Sequence, residues 1–285
     1  MHLLVFGLGY TGAAIAGMAR AGGLRVCGTS RDPSRSATRE GTPEGVTVLP
    51  FGATLPADIT HVLATAPPDE SGDPVVRTYG SALAGLSTLR WAGYLSTTGV
   101  YGDRAGGWVD ETTAPAPGNA RSRRRRAAEQ EWSALAPRIA VDLFRVAGIY
   151  GPGRSAFDDL RAGRGRRVLK PGHAFGRIHR DDIAGAVLAA VAQSLPPGIR
   201  VLHLADDAPS ESAAVIEEAA ALLGVPPPPA VAFDQAALGM SEMARSFWAE
   251  NRKVASRHTQ EVLGYRWRYP SYRAGLRAIL AAERG

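Results

Sequence analysis

Short apolar runs alternate with stretches of helical period through the first half of the chain. The runs HLLVFG, LRVCGTS, VTVLP, HVLATA, AGYLST and IAVDLFRVAG are apolar almost throughout, as strands covered on both faces require. Helical patterns fall between them near 11–22, 74–89 and 120–136. This alternation predicts βαβ units around a parallel sheet.

Past residue 151 the spacing changes. A helix near 155–162, a short strand RRVLK and a helix in RDDIAGAVLAAVAQS are followed by a strand RVLHLA and a helix in SESAAVIEEAAALLG. VPPPPAVAF reads as an extended connector, and the tail as two short helices joined through Tyr269 and Pro270. The organisation expected is a doubly wound α/β unit over 1–150 and a small α/β cap over 151–285, interleaved with the first and without internal repeats.

Composition narrows this only a little. With 45% hydrophobic and 21% charged residues over 285 positions, the chain can bury a large core. The formal charge is +6, and Lys170 and Lys253 are its only lysines, so the basic side is almost all arginine. That is weak support for nucleic-acid binding, and no nucleic-acid partner is expected. Cys27 stands alone and fits a reducing compartment. The start MHLLVFGLGYTGAAIAGMA imitates a signal peptide but lacks a basic leading region, and glycines interrupt its apolar run. With no run apolar enough to span a bilayer, a cytoplasmic protein without a membrane partner is expected. The histidines are scattered without metal-ligand spacing, so no metal site is expected.

Chemistry enters with VFGLGYTGAAIA. Gly7, Gly9 and Gly12 form G-x-G-x-x-G directly after a strand and at the mouth of a helix. The first glycine serves a tight turn, the second lets backbone approach a pyrophosphate, and the third allows close helix–strand packing. Tyr10 and Thr11 then open a helix whose N–H groups face the phosphates. The second strand ends in Thr29, Ser30 and Arg31, with Arg35 further on. A hydroxyl and a guanidinium suit a ribose 2′-phosphate, so NADP is the expected cofactor, with Asp32 keeping NAD open. Ala64, Thr65, Ala66 and Pro67 follow the fourth strand, on the sheet edge where ligands bind.

YLSTTGVYGD, LFRVAGIYGPGR and RIHRDDIAGAV, together with the glycine turn, resemble the extended short-chain dehydrogenase/reductases, the NAD(P)-dependent epimerase/dehydratase group. The tail NRKV…LGYRWRYPSYRAGL looks most like the atypical YeeZ-like branch. The resemblance implies a Rossmann-type doubly wound parallel sheet with a C-terminal substrate cap. It also implies a Ser/Thr–Tyr–Lys set in which tyrosine exchanges a proton while hydride moves to or from the nicotinamide. Thr97 takes the hydroxyl position, four residues before Tyr101, and Ser96 lies beside the cofactor.

The family's Y-x-x-x-K helix coincides with NARSRRRRAAEQEW. Anchored on Glu129, the lysine position is Arg125 and the tyrosine position Arg121, so both key residues are arginine. A guanidinium cannot donate a proton near neutrality but can stabilise an oxyanion. Tyr101 is therefore the expected stand-in acid, with Tyr150 and His179 as alternatives. The other arginines of the run are expected to be solvated. Arg154, Arg177 and His179 match cap segments that line the substrate pocket in the family, with Lys170 near them. The function expected is an NADP-dependent oxidoreductase or epimerase-like enzyme acting on a small polar or anionic substrate, including sugar nucleotides. The alternative is an NADP-sensing protein that has lost the chemistry. A homodimer is compatible with the resemblance, though no interface is legible.

Overall fold

The computed structural model describes residues 1–32 and 43–284. Its centre is a seven-stranded parallel sheet of order β11-β7-β5-β4-β1-β2-β3. The strands are β1 (His2–Phe6), β2 (Arg25–Ser30), β3 (Thr47–Pro50), β4 (His61–Ala64), β5 (Trp91–Thr97), β7 (Ala140–Val146) and β11 (Gly198–Leu204). The direction of winding reverses between β1 and β4, the crevice where open α/β sheets take their ligands.

Both faces of the sheet are dry. Leu3 and Val5 of β1 pack on one side with Ile15 and Ala16 of α1 (Tyr10–Ala21), while Leu4 and Phe6 pack on the other with Tyr79 and Leu83 of α2 (Pro74–Gly85). Alternate side chains of a strand point to opposite faces, so a strand apolar at every position must be covered twice. Trp132 of α3 (Ala120–Ser133) joins the second face, stacked on Tyr94. The first face is completed by Ile183, Val187 and Ala190 of α5 (Arg180–Val191).

Helix ends follow the sequence closely. Asp73 caps α2 by accepting from the Val75 and Val76 N–H groups, with Pro74 at the first helical position, where its missing N–H costs nothing. Asn119 caps α3 through the Ser122 N–H, and Ser155 with Asp158 forms a capping box on α4 (Ala156–Arg161). Helix α2 stops at Gly85 rather than reaching 89. Leu86 leaves the helix in extended backbone, and Leu89 turns inward to join the core.

The chain past residue 150 both returns to the sheet through β11 and builds a smaller layer. There β8 (Gly148–Tyr150) pairs with β10 (Arg177–His179), and β9 (Arg167–Leu169) with β12 (Ala230–Ala232). Strand β12 lies in the proline-rich stretch expected to be an extended connector; its residues find backbone partners on β9, 63 residues away in sequence. Tyr150, Phe157 of α4, Ala219 of α6 (Ser212–Leu223), and Leu276 and Ile279 of α10 (Tyr272–Arg284) form a separate core. Between β12 and α10 run α7 (Phe233–Leu238), α8 (Glu242–Trp248), β13 (Lys253–Val254) and α9 (Arg257–Leu263). Strand β13 pairs with β6 (Trp108–Val109), tying this tail to the scaffold. Among the described residues no helix is long and apolar enough to cross a membrane.

Candidate functional site

The glycine turn has the shape a dinucleotide needs. Gly7 adopts φ +102°, and a Cβ there would come within 2.8 Å of Thr65 Oγ1. A Cβ at Gly12 would run into the Gly7 carbonyl oxygen, so the third glycine is required by helix–strand packing. Gly9 is different: a Cβ there would meet nothing within 4 Å. The space in front of Gly9 is open, and the α1 N-terminus behind it has no side-chain cap and no acidic residue in its first turn. Exposed N–H donors and a positive dipole end facing an open cradle fit a pyrophosphate.

Thr65 fixes this turn. Its hydroxyl donates to the Gly7 carbonyl oxygen at 2.7 Å, and its N–H donates to Phe6 O at 3.0 Å, so Thr65 supports the cradle from below. Ala64 is buried at the end of β4, and Ala66 packs on the core. Arg31 lies exposed at the end of β2, next to Ser30, whose hydroxyl accepts from the Asp32 N–H at 3.2 Å. Arg35 lies outside the described residues.

Beyond the carboxyl ends of β5 and β7 opens a cleft of about 570 Å³. Thr97, with Arg121 and Arg125 of α3, lines it together with Tyr150, Arg154 and Arg177. Thr97 ends β5, and its Oγ1 accepts from the Gly99 N–H at 3.1 Å, which leaves the hydroxyl proton directed elsewhere. Arg121 and Arg125 sit one helical turn apart on α3 and therefore share a face. Arg125 donates through Nη1 to Tyr94 Oη at 3.0 Å and Leu95 O at 2.9 Å, while Arg121 lies over the Phe247 ring at 5.5 Å. Arg154 stacks over Tyr10, beside the glycine turn, at 5.6 Å. Arg177 donates through Nη1 to Phe175 O and Ser210 O.

Tyr101 does not join this group. It is fully buried, with its hydroxyl accepting from Arg145 Nη1 at 2.7 Å and lying against His203 Nε2 and the Asp110 carbonyl oxygen. Burial pushes that hydroxyl up to about 12, with the Arg145 charge pulling partly the other way. A phenol so enclosed has no route to a substrate, so the expected acid role is corrected. Tyr150 lines the cleft but turns its hydroxyl toward Ser271 O at 3.3 Å. His179 is also withdrawn from the cleft: its Nδ1 accepts from the Asp181 N–H and caps α5, and burial lowers it to about 4.

Sequence reasoning missed the network behind the cleft. Glu129 of α3 receives Arg145 Nε at 3.0 Å and Arg145 Nη2 at 2.9 Å, a two-point pair between residues exposed by 0% and 2%. Arg126 Nη1 adds a third contact at 2.9 Å, and Ser96 donates its hydroxyl to Glu129 Oε1 at 2.7 Å. Ser96 thus locks β5 to α3. Burial alone would raise the Glu129 carboxyl, but Arg145, Ser96 and Arg126 together hold it below its ordinary range. Asp in β7 pairs similarly, with Asp142 between Trp91 Nε1 and Arg200. The only sequence cue for the first pair was an acid on the inner side of an arginine-rich helix.

Asp206 is buried at the cap side, where its N–H donates to Arg177 O and its Oδ2 has no hydrogen-bond partner among the described residues. Burial pushes its carboxyl up to about 8, against the pull of the Arg177 charge. The fold therefore keeps a proton that the unfolded chain has released, and stability falls as pH rises from the ordinary carboxylate range toward 8. Asp206→Asn cannot ionise. It is expected to melt a few degrees above the parent near pH ~8 and to lose that advantage near pH ~4, read by thermal denaturation across pH.

No family model matches the chain. Protein YeeZ of Escherichia coli K12 is 35% identical over 96 residues, which are 33% of this chain and 32% of that protein, so the chain matches about a third of this curated relative's length. A functionally unknown conserved protein from Silicibacter pomeroyi is 44% identical, covering 99% of this chain and 98% of its own, with a TM-score of 0.91. Human epimerase family protein SDR39U1, solved with NADPH, is 19% identical with a TM-score of 0.77 and 99% of each chain covered. MoeE5, solved with UDP-glucuronic acid and NAD, is also 19% identical, with a TM-score of 0.78 and 100% and 99% covered. The chain belongs to one family with the Silicibacter pomeroyi protein, it is similar to YeeZ over a third of its length, and its fold is the one shared by the NAD(P)-dependent epimerase/dehydratase structures.

Proposed function

We propose that this protein is an NADP-dependent oxidoreductase or epimerase-like enzyme that takes a small anionic substrate in the arginine-lined cleft. The observation that carries the reading is the open cradle at Gly9, set before an uncapped helix, with Arg154 of the Thr97 cleft stacked over Tyr10 beside it. When bound, the nicotinamide would supply or accept the hydride. Gly7, Gly9 and the α1 N–H groups would hold the pyrophosphate, and Ser30 and Arg31 the ribose 2′-phosphate. That the fold's neighbours were solved with NADPH or NAD supports a nicotinamide dinucleotide without choosing between the two.

In this reading Thr97 orients a substrate oxygen. Arg125, braced by Tyr94 and Leu95, holds the substrate or the nicotinamide ribose, and Arg121 stabilises negative charge that develops on oxygen. The proton comes from water, because the hydroxyls of Tyr101 and Tyr150 are turned away. The same lack of a tyrosine donor supports the second reading, a protein that binds NADP and reports on it without turnover.

Fluorescence titration with NADPH and NADH tests the cofactor. NADPH is expected to bind more tightly, and Arg31→Asp to weaken NADPH by about tenfold or more while sparing NADH. Equal affinities in both proteins would remove Arg31 from this role. NADPH oxidation across a carbonyl panel, lost in Thr97→Ala, would favour the enzyme over the sensor.

A further inference from the structure

The cleft holds far more positive than negative charge. Arg121, Arg125, Arg154, Arg177 and Arg252 line it, and the one carboxylate among its described lining residues is Glu250. Glu250 is already engaged, accepting from Asn119 Nδ2 at 2.9 Å and from Arg252 Nη1 at 2.7 Å. Among the described residues no acid forms an ion pair with Arg121, Arg125, Arg154 or Arg177. Elsewhere arginines do find acids: Arg145 and Arg126 meet Glu129, Arg200 meets Asp142, and Arg161 meets Glu283. Four arginines without an ion pair among the described residues therefore line one cleft.

This arrangement is unfavourable for the protein on its own. Like charges at i,i+4 weaken a helix by about 0.2–0.5 kcal/mol per pair. Burial, and then the neighbouring Arg125 charge, make the Arg121 guanidinium easier to deprotonate than usual. Arg177 is lowered likewise by burial, against the pull of the buried Asp206 carboxyl, and its Nη1 hydrogen-bonds only to neutral carbonyl oxygens and a serine. Guanidiniums held together without acids are a recognition surface for oxyanions, which they bind bidentately.

Arg154 lies over Tyr10 at the glycine turn, so its charge falls on the dinucleotide side. Arg252 is matched by Glu250. That leaves Arg121 and Arg125 on α3, and Arg177 on β10 of the smaller layer, lining the same cleft as Thr97.

We propose that the substrate carries two anionic groups, one held by Arg121 and Arg125 of α3 and the other by Arg177 of β10, in the cleft that Thr97 also lines. The α3 pair is then an anion clamp at the reacting end rather than a proton relay. This rests on the cleft being the substrate site of the dinucleotide-binding protein proposed above. The shared chemistry is a dianion of carboxylate or phosphate type.

The test is calorimetric titration of the NADPH-saturated protein with inorganic pyrophosphate, and separately with malonate, succinate and glutarate; acetate is the monoanion control. One of the two dianion classes is expected to bind about tenfold or more tighter than acetate, and the better class names the group. Arg121→Gln is expected to weaken that dianion about tenfold, with partial recovery in Arg121→Lys. Arg123→Gln removes the same charge from an exposed position outside the cleft and is expected to leave affinity within about twofold. Equal losses in Arg121→Gln and Arg123→Gln, or no dianion binding, would overturn the clamp. Repeating the titrations without cofactor separates the two claims: loss of NADPH binding with Arg121-dependent anion binding intact would overturn only the cofactor reading.

Discussion

Arg145→Ala is expected to cost about 3–5 kcal/mol of folding stability, measured by chemical denaturation. The reason is what it leaves behind. Glu129 is fully buried, and Arg145 supplies two of the three guanidinium N–H groups on its carboxylate. Removing Arg145 strands a charge in a dry interior and also removes the donor on the Tyr101 hydroxyl. The pair behaves predictably with pH. The Glu129 carboxyl is held below its ordinary value in the fold, so its stabilisation is complete above the ordinary carboxylate range and is lost as pH falls through the lowered value. Arg145→Ala should therefore flatten the acid limb of a stability–pH curve. An unchanged midpoint for Arg145→Ala would mean that the pair does not hold α3 in place.

The second large effect separates two glycines three residues apart. Gly9→Ala is expected to change stability by no more than about 0.5 kcal/mol, since a Cβ there meets open space and φ −81° suits alanine. It should nevertheless weaken dinucleotide binding by about a hundredfold, because the methyl would occupy the approach of the pyrophosphate. Gly12→Ala should do the reverse in order of cause. Its Cβ collides with the Gly7 carbonyl oxygen, so the turn must shift, at a cost of about 1–3 kcal/mol, and binding falls as a consequence. If Gly9→Ala binds NADPH and NADH as the parent does, nothing rests in the cradle and the cofactor assignment fails.

These two predictions draw on different kinds of information. The glycine turn is a local device. Its three glycines, the strand before them and the helix after them lie within 20 consecutive residues, and each position has one steric requirement. The same holds for the capping of α2 by Asp73 ahead of Pro74. The placement of Arg121 and Arg125 on one face also follows from helical period alone, once Asn119 opens the helix.

The roles of the tyrosines and of His179 were not legible in that way. Tyr101 stands in a family-like VYG motif, yet β7 and β11 bring Arg145 and His203 onto its hydroxyl from 44 and 102 residues away. His179 precedes a helix with two acids in its first turn, and its ring caps that helix instead of facing the cleft. A side chain's identity states which protons it can hold, and packing decides whether anything can reach them.

Sequence by itself determined the parallel sheet, the order of its first units, the glycine cradle and the twin-arginine face of α3, because each depends on backbone sterics or on a period only a few residues long. Tertiary structure alone decided which charges are paired and which are left bare. Arg145 and Arg177 are the same residue type, each on a strand; one forms a two-point ion pair with Glu129 because β7 lies behind α3, and the other forms no ion pair among the described residues, because β10 lines an open cleft where its one acidic neighbour is the buried Asp206. Coulomb and desolvation energies depend on distance and burial in space, and neither is written in the spacing along the chain.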